Sequence, residues 1–205
     1  MEKEQIYELM RSRRSIRLYK PDPIPQETLE RIIAGALWAP SGMNKQDWLV
    51  VVVTGEKKQE LIRLFGEGGE YLRERLEQLF PPKMVNLTMQ FFRTGGNAQA
   101  IVLVYVPREQ IKISPDMNLN ERHAAEHDRM GAIQSASALI QNLLLLAHAE
   151  GLGSCWLNGP LFVQEEINAL LGIKDKELVA AVTLGWPDQQ PPVPPRKPDR
   201  VLWYK

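Results

Sequence analysis

The chain has 205 residues, of which 44% are hydrophobic and 24% charged, so its length and composition fit one globular domain with a sizeable core. Lysine plus arginine and aspartate plus glutamate both total 25, and the resulting zero net charge gives no global field to hold nucleic acid or an anionic membrane. The single cysteine, Cys155, excludes an intramolecular disulfide and a zinc site built of several cysteines. We therefore expect a cytoplasmic protein with neither nucleic acid nor a membrane as its partner.

Two helices are predicted on either side of an arginine-rich segment, residues 11–25. Ile6, Leu9 and Met10 recur at helical spacing before it, and residues 29–37 continue that spacing after Pro25. Three continuously apolar runs, residues 48–54, 100–106 and 179–184, predict central strands. The region between the first two runs, residues 65–97, carries helical patterns punctuated by glycine and proline. We interpret this region as a lid whose glycines act as hinges.

The run of residues 131–152 is apolar enough to raise the question of a membrane span. It is interrupted by Gln134, Gln141, Asn142, His148 and Glu150, which favours a helix buried within the protein. Residues 162–171 carry a further helical pattern that Gly172 ends. The proline-rich tail, residues 187–205, lacks too many N–H donors for regular structure, so we expect it to run extended across a surface of this single domain, residues 1–205.

Four polar motifs could carry chemistry, and each also has a plain structural interpretation. Residues 13–17, RRSIR, combine guanidinium groups with a hydroxyl, which suits a phosphate or a delocalised anion, or else form a solvated basic turn. Residues 39–48, APSGMNKQDW, place polar side chains beside a glycine, which suits contact with the edge of a ring. The alternative is a loop that only ends a helix. Residues 151–160, GLGSCWLNGP, free backbone amides to face a ligand, or form a cap and a turn. In PPRKP, residues 194–198, prolines hold Arg196 on a stiff segment.

In order and spacing, the motifs resemble the FMN-dependent nitroreductase superfamily over about residues 6–203. The resemblance is carried by RRS-x-R at 13–17, by APSG-x-N at 39–44 with Gln46 and Trp48, by the long helix ending in GLGS at 151–154, by GWP at 185–187 and by Arg196-x-Pro198. The lid has no family pattern. The resemblance implies an α+β fold, in which helices wrap a mostly antiparallel central sheet, and an intertwined homodimer with each flavin at the subunit interface.

The resemblance also implies where FMN is held. Arg13, Arg14 and Arg196 would lie near the phosphate and the ribityl chain, with Ser15 hydrogen-bonded there, and Arg17 would reach the N1/O2 edge of the ring. Some family members have a lysine two residues before the tail arginine, where this chain has proline.

The remaining cofactor residues would line the flavin ring. The loop after the second helix would contribute Ser41, Gly42, Asn44 and Gln46. The backbone amides near N5 would come from Asn158 and Gly159.

The implied activity is hydride transfer from NADH or NADPH, through FMN, to nitroaromatics, quinones or similar electron-poor acceptors. Flavin N5 would carry the chemistry, so no protein nucleophile and no metal is required, and Arg17 would favour the negatively charged reduced flavin. The alternatives are a specialised flavoenzyme of the same fold, for reductive dehalogenation or flavin fragmentation, and a flavin-binding protein without turnover. The lid residues expected to contact the acceptor, unless they merely pack the lid helices onto the sheet, are Phe80, Met84, Phe91 and Phe92.

The three histidines and the single cysteine allow other interpretations. His123 and His127 stand at i and i+4, a spacing that can place two imidazoles on one metal, although an exposed, charged helix start is favoured. Cys155 and His148 are interpreted as buried core residues.

Overall fold

The computed structural model describes residues 3–109 and 111–204 and shows an α+β fold. The helices in this part of the chain are α1 (Lys3–Ser12), α2 (Gln26–Ala36), α3 (Gly55–Glu70), α4 (Arg73–Leu79), α5 (Pro82–Thr94), α6 (Leu119–Ala149) and α7 (Gln164–Leu171). The strands are β1 (Leu49–Val53), β2 (Ala100–Pro107), β3 (Gly153–Leu157) and β4 (Lys176–Gly185). Short 3-10 helices span Gly42–Asn44, Gly95–Asn97 and Gly159–Val163.

The four strands form one antiparallel sheet in the order β1-β2-β4-β3. The predictions of central strands are confirmed for β2 and β4, but the prediction is wrong for β1, which lies at one edge. Leu49 and Val52 of β1 are 37% and 39% exposed. A run of four valines indicates a strand, but it does not say whether both neighbouring positions in the sheet are filled.

Strand β2 is apolar throughout because the sheet is covered on both faces. Ile101, Leu103 and Tyr105 pack into the core beneath α3 and α5, whereas Val102 and Val104 pack into the core beneath α2 and α6. Because successive side chains of a strand point to opposite faces, each face requires its own set of apolar residues. The sheet is therefore the middle layer between two groups of helices.

Helix α6 is longer than the apolar run predicted. Asn118 begins it with a capping box, in which its side chain accepts from Glu121 N while the Glu121 carboxylate accepts from Asn118 N. By length and composition alone α6 could span a membrane, a test that core helices also pass. Seven of its residues, from Ser135 to Ala147, are buried, and six of them pack into the core on one face of the sheet. Only 33% of its most apolar window is buried within this chain, less than the predicted burial on most sides.

The lid region is helical, but its first glycines are not hinges. Gly66, Gly68 and Gly69 lie inside α3, and the last two are buried, so the prediction of a hinge there is wrong. Helix α5 does end at a glycine turn, where Gly95 and Gly96 have φ of 60° and 59°. Sequence alone does not distinguish a glycine that bends a chain from one that lets two segments approach closely.

The tail has neither helix nor strand over residues 187–204, as predicted. It begins next to the arginine-rich segment, where Asp188 N donates to Leu18 O at 2.9 Å. Further along, the tail exposes the large apolar side chains of Val201, Leu202, Trp203 and Tyr204.

Candidate functional site

The arginine-rich segment lies against β3, the edge strand opposite to β1. Ile16 N donates to Ser154 O at 2.9 Å, and Tyr19 N donates to Gly96 O at 2.8 Å, so the segment is fixed between β3 and the end of α5. Glycine is required at both contacts. A Cβ atom at Gly153 would lie 2.7 Å from Ile16 Cβ, and one at Gly96 would lie 2.0 Å from Arg17 O.

A cleft of about 440 Å³ opens beside this segment. Arg13, Arg14, His148 and Ser154 line it, together with the start of the tail at Gln189. Burial lowers the pKa of Arg13, and the neighbouring Arg14 and Arg196 charges lower it further. The charge of Arg14, and to a smaller extent that of Arg196 in the tail, therefore acts on Arg13, which lines this cleft.

The Arg14 guanidinium indicates which kind of ligand the cleft fits. Its Nη1 donates to Arg13 O, but its buried Nε and Nη2 have no hydrogen-bond partner among residues 3–109 and 111–204. A buried donor without a partner typically costs about 1–3 kcal/mol. An anion with several oxygens, such as a phosphate monoester, would satisfy both atoms, and the cleft therefore fits the phosphate end of a nucleotide.

His148 belongs to this cleft and not to the core, so its interpretation as a buried core residue is wrong. It is half-buried, and its Nε2 lies 2.8 Å from Ser12 Oγ. Burial lowers the pKa of His148, and the charges of Arg13 and Arg14 lower it further. The sequence position of His148 could have predicted this location. It lies in the last turn of α6, just before the glycine-rich motif, and α6 meets the arginine-rich segment at that turn.

The loop of residues 41–46 is held in an unusual conformation. Met43, Asn44 and Gln46 have φ of 51°, 53° and 48°, in the left-handed region that residues with a side chain seldom adopt. Gln46 N donates to Ser41 Oγ at 3.1 Å, and Gln46 Nε2 donates to Asn44 Oδ1 at 2.8 Å. Such strain, about 1–3 kcal/mol a residue, is concentrated at functional sites, where the surrounding structure maintains it.

Within one chain, this loop lies far from the arginine cleft. The loop meets α6 at Ser135, whose Oγ accepts from Gly42 N at 3.2 Å, whereas the cleft meets α6 at His148. Thirteen helical residues separate these two points, a distance of about 20 Å along the axis. The predicted cofactor residues therefore form two groups in the folded chain.

The end of β3 places Asn158 and Gly159 on the same edge as Ser154. Asn158 is exposed, and its Oδ1 accepts from Trp156 Nε1 at 3.0 Å. Gly159 is buried and begins a 3-10 helix. Since a strand rises about 3.3 Å per residue, Asn158 lies about 13 Å along the edge from Ser154. An elongated ligand could therefore extend from the arginine cleft to this point.

A second cleft, of about 650 Å³, separates Arg17 from the lid helices. Phe80 and Met84 line it and are about half exposed, and Phe91 contributes to its floor. Arg17 is exposed and makes no ion pair or hydrogen bond within the described part of the chain. Phe92 does not line this cleft and is buried in the core. The prediction that Phe92 contacts the acceptor is therefore wrong, and its role is to pack the lid helices onto the sheet.

His123, His127 and Cys155 line neither of these two clefts. His127 is exposed, with its Nδ1 3.2 Å from Asp128 Oδ1, and it lies near the start of α6. Over residues 3–109 and 111–204, no three histidine, cysteine or acidic side chains are grouped to hold a metal ion. Burial raises the pKa of the Cys155 thiol, which keeps it a neutral core group as predicted.

Comparison with known proteins agrees with the fold and the motifs. The Nitroreductase family profile matches residues 10–186. The chain is 31% identical over 196 residues to "Putative NAD(P)H nitroreductase YfhC" of Bacillus subtilis, covering 94% of this chain and 90% of that protein.

Two solved structures share the fold at lower identity. The FMN-dependent nitroreductase NfnB from Mycobacterium smegmatis, in complex with NADPH, superposes with a TM-score of 0.74 at 18% identity, covering 98% of each chain. A nitroreductase with bound FMN from Desulfitobacterium hafniense gives a TM-score of 0.73 at 21% identity over 100% of each chain. The matched profile spans most of the chain, and the chain therefore belongs to the nitroreductase family.

Proposed function

We propose that this protein is an FMN-dependent oxidoreductase that takes hydride from NADH or NADPH and reduces nitroaromatics, quinones or similar electron-poor acceptors. The observation that carries the proposal is the buried Arg14 guanidinium, whose Nε and Nη2 have no partner within the described residues, in a residue that lines the arginine cleft. Membership of the nitroreductase family and the names of the similar proteins support the same cofactor and donor.

The phosphate end of FMN fits the arginine cleft. Arg13 and Arg14 would bind the phosphate together with Ser15, and Arg196 would reach it from the tail, since its charge already acts on Arg13. The edge of β3 then leads to the Asn158–Gly159 amides, where the ring would lie. When bound, FMN supplies hydride transfer, and the residues of the chain supply binding and electrostatics.

Arg17 would act on the flavin through its charge. Its guanidinium is exposed and has no counterion within the described residues. A fixed cation at the N1/O2 edge stabilises the negative charge that this edge carries in the reduced flavin. Arg17→Ala should therefore lower the two-electron reduction potential, by about 30 mV for a loss of about 1.4 kcal/mol.

The complete site requires two copies of the chain in this proposal. The loop of residues 41–46 lies about 20 Å along α6 from the arginine cleft, too far to act on the same flavin within one chain. Large apolar side chains are exposed on both sides of this gap: Tyr7, Met10, Trp38 and Met43. A homodimer would bury them and bring the loop of one subunit to the cleft of the other.

Mixing two defective variants tests this arrangement. Arg14→Ala and Asn44→Ala should each weaken FMN binding in homodimers. In a heterodimer of the two, one site combines both substitutions and the other has neither, so one site per dimer should regain wild-type affinity. Sedimentation that shows a folded, flavin-loaded monomer, or a heterodimer without recovery, would contradict the shared site.

The acceptor would bind in the cleft between Arg17 and the lid helices. Phe80 and Met84 present half-exposed apolar surface there, and Phe91 closes the floor. A lining of apolar and aromatic side chains with a few polar groups and one cation, Arg17, suits a planar, electron-poor ring. Methionine adapts to different shapes, which favours reduction of several acceptors.

A cytoplasmic location is part of the same proposal. Cys155 is a buried, free thiol, as is usual in a reducing compartment. Its modification state in purified protein, measured by mass spectrometry, should be the unmodified thiol.

The decisive experiment begins with the colour of the purified protein. Flavin released by heating should be FMN, at one per subunit, and the protein should oxidise NADH or NADPH with menadione or a nitroaromatic as the acceptor. Arg14→Ala, purified in parallel, should carry much less flavin. Release of FAD would refute the cofactor, and stoichiometric FMN without turnover would leave a flavin-binding protein instead of an enzyme.

A further inference from the structure

Helix α3 of the lid packs directly onto the main chain at the end of β3. A Cβ atom at Gly68 would lie 2.8 Å from Gly159 O and 3.0 Å from Val163 Cγ2. Gly68 is therefore a contact point between a lid helix and Gly159, where any side chain would press on the Gly159 carbonyl.

Phe92 of α5 completes the same contact from the other side. A Cβ atom at Gly159 would lie 2.5 Å from Phe92 Cε1 and 2.7 Å from Phe92 Cζ. One at Gly69 would lie 2.9 Å from Phe92 Cβ and Cγ. The ring thus fills the space between two glycines that belong to different elements, and it leaves Gly159 no room to move towards α5.

A ring stack ties the end of α3 to the 3-10 helix that follows Gly159. Tyr71 and Phe162 have ring centroids 5.6 Å apart and planes at 11° to each other. The lid is consequently fastened to the segment around Gly159 at several points. Helices α3 and α5 thus form a support for this segment.

We propose that Gly68 and Phe92 are positioning residues for the Asn158–Gly159 segment, so that the lid helices set where its main-chain amides lie relative to the flavin ring. This inference rests on the proposed FMN site. Leu61, Ile62, Leu64 and Phe65 hold α3 in the core. Asn158, next to the buried Gly159, is exposed, so the segment can give way at Asn158 when a side chain at position 68 presses on the Gly159 carbonyl. Changes in the lid then alter the redox properties of the flavin as well as the choice of acceptor.

Gly68→Ala tests the inference, and Gly66→Ala is the matched control on the same helix. A Cβ atom at Gly66 meets nothing closer than Arg93 Cγ, at 3.5 Å, so the control adds the same methyl group without pressing on Gly159. Three quantities should be measured on the FMN-loaded proteins: the visible flavin spectrum, the two-electron reduction potential and the thermal unfolding temperature.

For Gly68→Ala we expect a shifted visible spectrum and at least about a threefold change in the ratio of the affinities for reduced and oxidised FMN, which is about 14 mV for two electrons. Gly66→Ala should match the wild type in both. If Gly68→Ala does not yield folded protein, Phe92→Leu, which removes the ring from Gly159, must shift the same two quantities.

The possible failures are distinguishable. A folded, FMN-loaded Gly68→Ala protein with the wild-type spectrum and potential would overturn the positioning role, even if its unfolding temperature fell. An equal shift in Gly66→Ala would also overturn it. If the wild-type chain binds no FMN, the proposed function itself fails, and the inference fails with it.

Discussion

Arg14→Met should change ligand binding and ligand-free stability in opposite directions. Methionine keeps the length and apolar stem of arginine and removes the guanidinium. In the described structure, Arg14 Nε and Nη2 are buried without protein partners, and each such donor costs about 1–3 kcal/mol. Removing both should stabilise the flavin-free protein by at least about 1 kcal/mol, which is about 2–4 °C for a chain of this size.

The same substitution removes the donors that would bind the FMN phosphate. A hydrogen bond to a charged group contributes about 1.5–3 kcal/mol, so the Kd for FMN should rise about tenfold to a hundredfold. Riboflavin, which lacks the phosphate, should bind to Arg14→Met and to the wild type almost equally. The measurements are flavin fluorescence titrations with both ligands and thermal unfolding of the flavin-free proteins.

Arg11→Met is the matched control for this experiment. Arg11 lines the same cleft, but it is exposed and pairs with Glu8 at 3.6 Å, so its removal should change either quantity by less than about 0.5 kcal/mol. If Arg14→Met lowers the stability of the flavin-free protein and leaves the Kd for FMN unchanged, Arg14 is a structural residue and the cleft is not the phosphate site.

Three further predictions concern the lid, the glycine turn and the cleft histidine. Phe92 is buried, so Phe92→Ala should lower the free energy of unfolding by about 3–5 kcal/mol in denaturant titrations. Phe80 is half exposed, so Phe80→Ala should lower it by less than about 1 kcal/mol but should change the ratio of kcat/KM between a quinone and a nitroaromatic. Equal stabilities of the two variants would contradict this prediction. Gly96→Ala places Cβ 2.0 Å from Arg17 O at a φ of 59°, so its unfolding temperature should fall well below that of Gly66→Ala, and an unchanged temperature would show that the turn relaxes freely. The pKa of His148 is lowered in the folded protein, so the unfolded chain binds its proton first, and flavin-free stability should fall as the pH drops below about 6.5; His148→Gln should lose that part of the pH dependence in urea titrations, and an identical pH profile would refute the assignment.

The sequence by itself determined the local chemistry and most of the elements. Residues 100–106 could be recognised as a central strand because every residue is apolar. Successive side chains of a strand point to opposite faces of the sheet, and helices cover both faces here. The motifs at 13–17 and 151–160 were recognisable because arginine and glycine are required there by charge and by close approach. These properties belong to a residue and its neighbours along the chain.

Tertiary structure decided what depends on the partners of a residue across space. The valine-rich β1 is an edge strand because no described strand pairs with its outer side, and strand propensity carries no information about that neighbour. Gly68 and Phe92 looked like a hinge residue and an acceptor contact, but they pack against Gly159, which lies more than sixty positions further along the chain. His148 reaches the arginine cleft because the long helix α6 carries it to Ser12, and about 20 Å of the same helix separates that cleft from the loop at Ser41.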